Sequence, residues 1–181
     1  MPNFFDLHDA VLPTWSAADY GYKAWSFDPS QATGAYALTP AGTLQVIGLK
    51  VLGGTLSTIT YQVTNAGSAL TASQCFVGLY QNGTLLASSA DQSGVWNSTG
   101  LKATALASTV TVTQGLVYVA FVFNGTTGPS LSAGSTTSGN FGLATASARY
   151  GVANTGVTTA LPASLITFSA GLAATPLVAV S

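Results

Sequence analysis

The sequence predicts an all-β fold, a two-sheet β-sandwich or jelly-roll-like domain preceded by an irregular, aromatic-rich N-terminal arm. Three observations predict it. From Thr43 onward, short β-branched or alternating segments recur between clusters of Gly, Asn, Ser and Pro, the pattern of an antiparallel all-β domain. Ile59, Tyr61 and Val63 alternate with Thr58, Thr60, Gln62 and Thr64, as in a strand with one buried and one wet face. No long amphipathic helix pattern interrupts the series.

In chain order, the first 42 residues form the arm and residues 43–181 the sandwich. The arm holds eight of the 18 aromatic residues, among them Phe4, Phe5, Trp15, Tyr20, Tyr22, Trp25, Phe27 and Tyr36, with neither period 2 nor period 3.6 sustained. A short helix over 4–11 is expected before Pro13. So short a segment cannot bury its rings in a core of its own. The arm therefore either straps the sandwich or docks on another subunit, where Trp and Tyr make large, rigid contacts.

Strands are expected over 44–51, 56–64, 74–80, 85–89, 101–106, 109–113, 117–123, 141–144, 165–168 and 177–180. Asn82-Gly83 between 74–80 and 85–89 is a hairpin turn, because both central positions of a type I′ turn need positive φ. Thr-Val-Thr-Val-Thr before Gln114-Gly115 and the apolar run 117–123 are expected to pair as a second hairpin. Residues 125–139 read as a loop by composition. About ten short strands at this spacing suit a sandwich.

Composition limits function. The charged residues are Asp6, Asp9, Asp19, Asp28, Asp91, Lys23, Lys50, Lys102 and Arg149, only 5% of the chain, and the net charge is -1. An ordinary domain carries about a quarter. A surface of Ser, Thr, Asn, Gln and Gly has little charge to keep free copies apart, which suits a protein docked in an assembly. The bases lie at least 27 positions apart in sequence, which argues against nucleic acid as a partner. No stretch offers the roughly 20 uninterrupted apolar residues of a membrane span: 161–180 contains Pro162, Gly171 and Pro176. The N-terminus has no basic segment followed by an apolar run, so no secretory signal is expected. Cys75, the single cysteine, allows no intrachain disulfide and is expected to be buried and inert.

Catalytic chemistry finds little to stand on. His8, the single histidine, lies between Asp6 and Asp9, a set too small for a zinc or iron site. There is no Gly-x-Ser-x-Gly elbow and no P-loop, so no cofactor or metal is expected. A glycosidase generally needs two carboxyl groups, and only Asp91 falls in the sandwich, so an enzyme is not expected. One loop carries a binding pattern. Asp91, Gln92, Trp96 and Asn97 set an aromatic ring among amide and carboxylate groups, the usual means of holding a neutral sugar. The favoured reading makes Trp96 a plug at one end of the core, with Asp91 tying the loop through backbone N–H groups and Lys102 as a possible ion-pair partner.

Four segments carry a resemblance: Tyr20-Gly-Tyr-Lys-Ala-Trp-Ser-Phe-Asp-Pro29, Asp91-Gln-Ser-Gly-Val-Trp-Asn-Ser-Thr-Gly-Leu-Lys102, Tyr118-Val-Ala-Phe-Val-Phe-Asn-Gly-Thr-Thr127 and Ala160-Leu-Pro-Ala-Ser164. In this order they resemble a β-sandwich module of the minor tail and virion surface proteins of tailed phages that infect actinobacteria. The resemblance implies a structural or adhesive role with no enzymatic residues, in a virion assembled in the host cytoplasm. Joined with the composition, it leads to a head decoration protein as the first expectation. Such a protein binds the major capsid protein or other virion subunits, with the arm as anchor, and is compatible with a homo-oligomer. A tail or surface adhesin binding host cell-wall glycan through the Trp96 loop is the second, and a polysaccharide depolymerase a distant third.

Overall fold

A computed structural model describes residues 15–134, 148–166, 168–170 and 174–181. The expected strand 141–144, the expected helix 4–11, and Phe4, Phe5, Asp6, His8 and Asp9 lie outside them. The described chain is an all-β sandwich of two six-stranded antiparallel sheets with a small two-stranded sheet beside them. In chain order the strands are β1 (Ala24–Trp25), β2 (Gly34–Ala37), β3 (Leu44–Val51), β4 (Gly54–Asn65), β5 (Ser68–Leu70), β6 (Phe76–Gln81), β7 (Thr84–Ser88) and β8 (Gly100–Val112). They continue with β9 (Gly115–Val122), β10 (Gly125–Thr127), β11 (Ser130–Ala133), β12 (Tyr150–Ala153), β13 (Ser169–Ala170) and β14 (Val178–Val180).

The first sheet is organised around β4, which pairs with β8 along one edge and with β14 and β11 along the other; β1 and β2 extend it outward from β14 and β11. The second runs β13-β12-β3-β9-β6-β7. Their facing sides make one core. Ile47 and Leu49 of β3, Val77 and Leu79 of β6, and Val119 and Phe121 of β9 meet Ile59, Tyr61 and Val63 of β4 and Val178 and Val180 of β14. The alternation read in β4 is observed in the buried Ile59, Tyr61 and Val63, but Thr60, on the side expected to be wet, is buried as well.

The second sheet is also buried on its outer side. Leu44, Val46, Tyr80, Ala120 and Val122 form a second apolar cluster with Val157 and Leu161, against which Leu165 and Phe168 pack. Residues 154–166 and Phe168 thus cover this sheet, and here the expected strand 165–168 is corrected. Leu165 and Ile166 lie in no strand, and the segment joins β7 by a single Thr84–Ser164 bridge and by packing on Leu85. Side chains fasten the cover: Tyr80 Oη donates to the Pro162 carbonyl at 2.8 Å, and Asn154 Nδ2 to that of Ser164 at 3.1 Å. A Cβ on Gly78 would collide with Leu161, so the fit is close.

The Asn82-Gly83 turn joins β6 and β7, with φ of 52° and 78°, as a type I′ turn requires. The second expected hairpin does not form. Segments 101–106 and 109–113 are one strand, β8, interrupted by a bulge: Leu56 pairs with Val110 while Thr58 pairs with Ala105. β8 stays in the first sheet and β9 enters the second, between β3 and β6. Alternation shows which side of a segment is apolar but not which strand it pairs with, so the turn at 113–114 crosses between layers. Gln81 holds that crossing, its Nε2 donating to the Thr113 carbonyl at 2.8 Å and its Oε1 accepting from the Thr113 N–H at 3.1 Å. The expected loop 125–139 also differs, since β10 and β11 occupy 125–127 and 130–133.

Leu161→Ala should cost about 2 to 3 kcal/mol, the usual penalty for emptying a buried leucine site. Urea denaturation would check it through a lowered midpoint at unchanged slope; a midpoint equal to wild type would show that the cover adds nothing to the core.

Candidate functional site

Two regions carry the residues marked by the sequence, and the structure treats them differently. In the 91–100 loop, Trp96 is fully buried. Its Nε1 donates to Tyr61 Oη at 2.8 Å, its ring packs 6.3 Å from that of Phe121, and Tyr61 meets Phe121 edge-on at 5.1 Å. Gln92, also buried, accepts at Oε1 from Thr104 Oγ1 at 2.9 Å and from Tyr61 Oη at 3.3 Å, and its Nε2 donates to the Ala90 carbonyl at 2.8 Å. Burial raises the pKa of the Tyr61 hydroxyl, so it stays a neutral member of the network.

The plug reading of Trp96, with Asp91 tying the loop through backbone N–H groups, holds, and the glycan-binding alternative for the loop is corrected. The ring that was to stack on a sugar has no open face, and the amide beside it is turned into the protein; of the four residues, only Asn97 is exposed and Asp91 half-buried. Asp91 Oδ1 accepts from the N–H groups of Cys75 at 3.2 Å and Ser93 at 3.4 Å, and the Ser93 hydroxyl donates to Oδ2. Burial pushes its pKa up, but the hydrogen bonds from Ser93, Ser73 and Cys75 outweigh that and hold it below the ordinary value. Lys102 is not its partner: Nζ donates to Ser98 Oγ at 3.0 Å and to the Thr99 carbonyl at 3.2 Å.

The second region is built by the aromatic segment on the outer side of the first sheet. Ser16 and Asp19 form a capping box for a 3-10 turn over Ala17–Tyr20, and Gly21 ends it with φ 78°. The chain then joins the sheet. Lys23 N–H donates to the Val180 carbonyl at 2.8 Å, and β1 pairs Ala24 with Val180 and Trp25 with Ala179. Beyond Asp28, which caps Pro29–Gln31 through the Ser30 N–H, Tyr36 in β2 reaches the other sheet. Its hydroxyl contacts that of Tyr150 and lies 3.1 Å from Gln45 Oε1, which also accepts from Tyr150 at 2.6 Å. From Ala24 to Ala37 the segment is therefore built into the sandwich.

Before Ala24 the rings step outward. Trp25 is half-buried, Tyr20 is 50% exposed and Trp15 67% exposed. Tyr20 lies 5.5 Å from Trp25 and 6.0 Å from Trp15, with interplanar angles of 57° and 74°. Across the sheet the row Trp25, Ala179, Thr60, Ala103 places small side chains beside the indole. The result is a groove of about 220 Å³ with Tyr20, Tyr22, Trp25 and Pro29 as one wall and Leu101, 70% exposed, at the other. Gln62 and Thr60 contribute polar atoms to its floor, and no charged side chain lines it. The wet face of β4 was legible in the sequence; its neighbours Leu101 and Ala179 were not, because they come from strands remote in sequence.

Other chemistry is thin. Among the described residues no three His, Cys, Asp or Glu side chains gather into a metal-binding group, and no helix is long and apolar enough to cross a membrane. Cys75 is buried, and burial raises its thiol pKa. Compared with known proteins, the chain matches no protein-family model and no curated protein.

Two predictions follow from the loop. Trp96→Ala should cost about 3 to 5 kcal/mol, read as a lowered Tm in calorimetry, and an unchanged Tm would place the ring outside the core. Asp91→Asn should lower the Tm at neutral pH. Because the folded carboxyl titrates below its unfolded value of about 3.9, its contribution is present above that pH and fades as pH falls through the folded pKa. The gap between wild type and variant should therefore close in acid, and a gap independent of pH would assign the effect to packing.

Proposed function

We propose that this protein is a non-enzymatic structural component of a phage particle, a decoration subunit that binds the outer surface of the head shell and stabilises it. The observation that carries the proposal is the outward-stepping run Trp25, Tyr20, Trp15 beside an uncharged groove. Isolated exposed apolar residues are normal, but clustered exposed aromatics beside a groove mark an interaction surface. The scarcity of charge supports the same reading, since a chain with net charge -1 has little long-range repulsion to keep it from packing among neighbours. The resemblance of four segments to tailed-phage surface modules supplies the kind of assembly. Binding to the assembled state alone stabilises that state by mass action, repeated over every occupied site. With Trp96 and Gln92 buried, the glycan adhesin loses the residues on which it rested.

The test is incorporation. Purified particles should carry the chain in hundreds of copies, as expected for a lattice-covering subunit, and the Trp15→Ser, Tyr20→Ser double variant should be lost from them while keeping its fold. Quantitative mass spectrometry of particles would read both. Full occupancy by the double variant would remove the aromatic run from docking, and absence of the wild-type chain from particles would end the virion reading.

A further inference from the structure

We infer that the aromatic face of the first sheet takes a second copy of this chain, in a two-fold pairing that seats Trp15 of each copy in the groove of the other. This rests on the reading of that face as an interaction surface of the assembled particle and makes its occupant there a neighbouring copy of the chain. The face carries both halves of a fit. Trp15 is a projecting ring, 67% exposed, and it stands one ring away from the groove, since Tyr20 both touches it at 6.0 Å and lines the groove wall. A knob and a hole on one patch are what an isologous interface requires, because each subunit then presents the same surface to the other. A groove of about 220 Å³ has room for an aromatic side chain, and its walls of Trp25, Tyr22 and Leu101 are apolar.

Charge permits the approach. Among the described residues, the exposed ionisable residues nearest the knob in sequence are Asp19 and Lys23, of opposite sign, and Asp28 is engaged on the Ser30 N–H at 2.8 Å. Among the described residues a copy facing its twin therefore meets charges of both signs. The ring geometry separates this occupant from a saccharide. Interplanar angles of 74° and 57° turn the three rings edge to face, so they form a projection instead of the shared flat platform on which successive sugars stack.

Sedimentation velocity of the purified full chain over a micromolar concentration series tests the pairing. Wild type should sediment as a dimer in equilibrium with monomer. Trp15→Ser and Leu101→Gln should each raise the dissociation constant about tenfold or more, as loss of an interface anchor does. Leu52→Gln removes a leucine of 86% exposure that does not line the groove, and should leave the constant unchanged. All three sites are exposed, so far-UV circular dichroism should match wild type throughout. A wild-type chain that stays monomeric overturns the inference, as do Trp15→Ser and Leu101→Gln variants that dimerise like wild type. So does a monomer whose Trp fluorescence responds to neutral oligosaccharides and loses that response in Trp15→Ser. Particles that carry the chain while it is monomeric in solution would overturn the pairing and leave the virion reading standing. A dimer absent from particles would do the reverse.

Discussion

Burial of the β13-β12-β3-β9-β6-β7 sheet on both faces is the constraint on which the other features depend. An antiparallel sheet ordinarily keeps one side for water, yet in β3 both Ile47, facing the first sheet, and Val46, facing the cover, are fully buried. Once residues 154–166 and Phe168 occupy that outer side, the broad open sheet face left among the described residues is that of the first sheet. There the aromatic segment lies across β14 and β4. Removal of one side from solvent therefore decides where a partner can approach.

The second organising feature is the use of neutral side-chain amides where other proteins place charges. Gln45 links Tyr36 and Tyr150 across the two sheets and donates to the Thr39 carbonyl at 2.9 Å. Gln92 organises the buried network beneath the 91–100 loop. Asn124 Nδ2 donates to the carbonyls of Gln74 at 2.9 Å and Val157 at 3.0 Å, joining the end of β9 to the start of the cover. An amide both donates and accepts, so one side chain can satisfy the two backbone groups of a turn, as Gln81 does for Thr113. Buried without a net charge, it avoids the desolvation cost of an ion.

Much of the architecture was legible in local sequence, and the reasons for the exceptions are physical. The apolar side of β4 and the Asn82-Gly83 turn depend on residues next to one another, and both were read correctly. The pairing of β8 and β9 depends on partners remote in the chain, so an alternating segment followed by a turn looked like a hairpin. The cover was missed because Val157, Leu161, Leu165 and Phe168 show no strand alternation and are broken by Gly156 and Pro162; they have no regular structure of their own and are apolar only because a sheet lies beneath them. At Trp96 the plug reading held and the sugar-site alternative did not. Its polar neighbours have the composition of a sugar site, but the pairing of Gln92 with Thr104 and Tyr61 turns that chemistry inward, and no local pattern distinguishes the two directions. At the aromatic face, the sequence supplied Trp15, Tyr20, Tyr22 and Trp25, while Leu101 and Ala179 became neighbours only through strand register.

The amide fasteners have a consequence for the surroundings in which such a molecule can persist. Carboxylates and ammonium groups exchange protons as acidity varies, and their attractions are damped by dissolved salt. Amide hydrogen bonds do neither within any natural range. Gln45, Gln81, Asn124 and Asn154 carry no net charge and no proton that titrates, so their hydrogen bonds hold alike at low and high acidity. A fold fastened this way leaves its response to acidity to a few ionised groups such as Asp91.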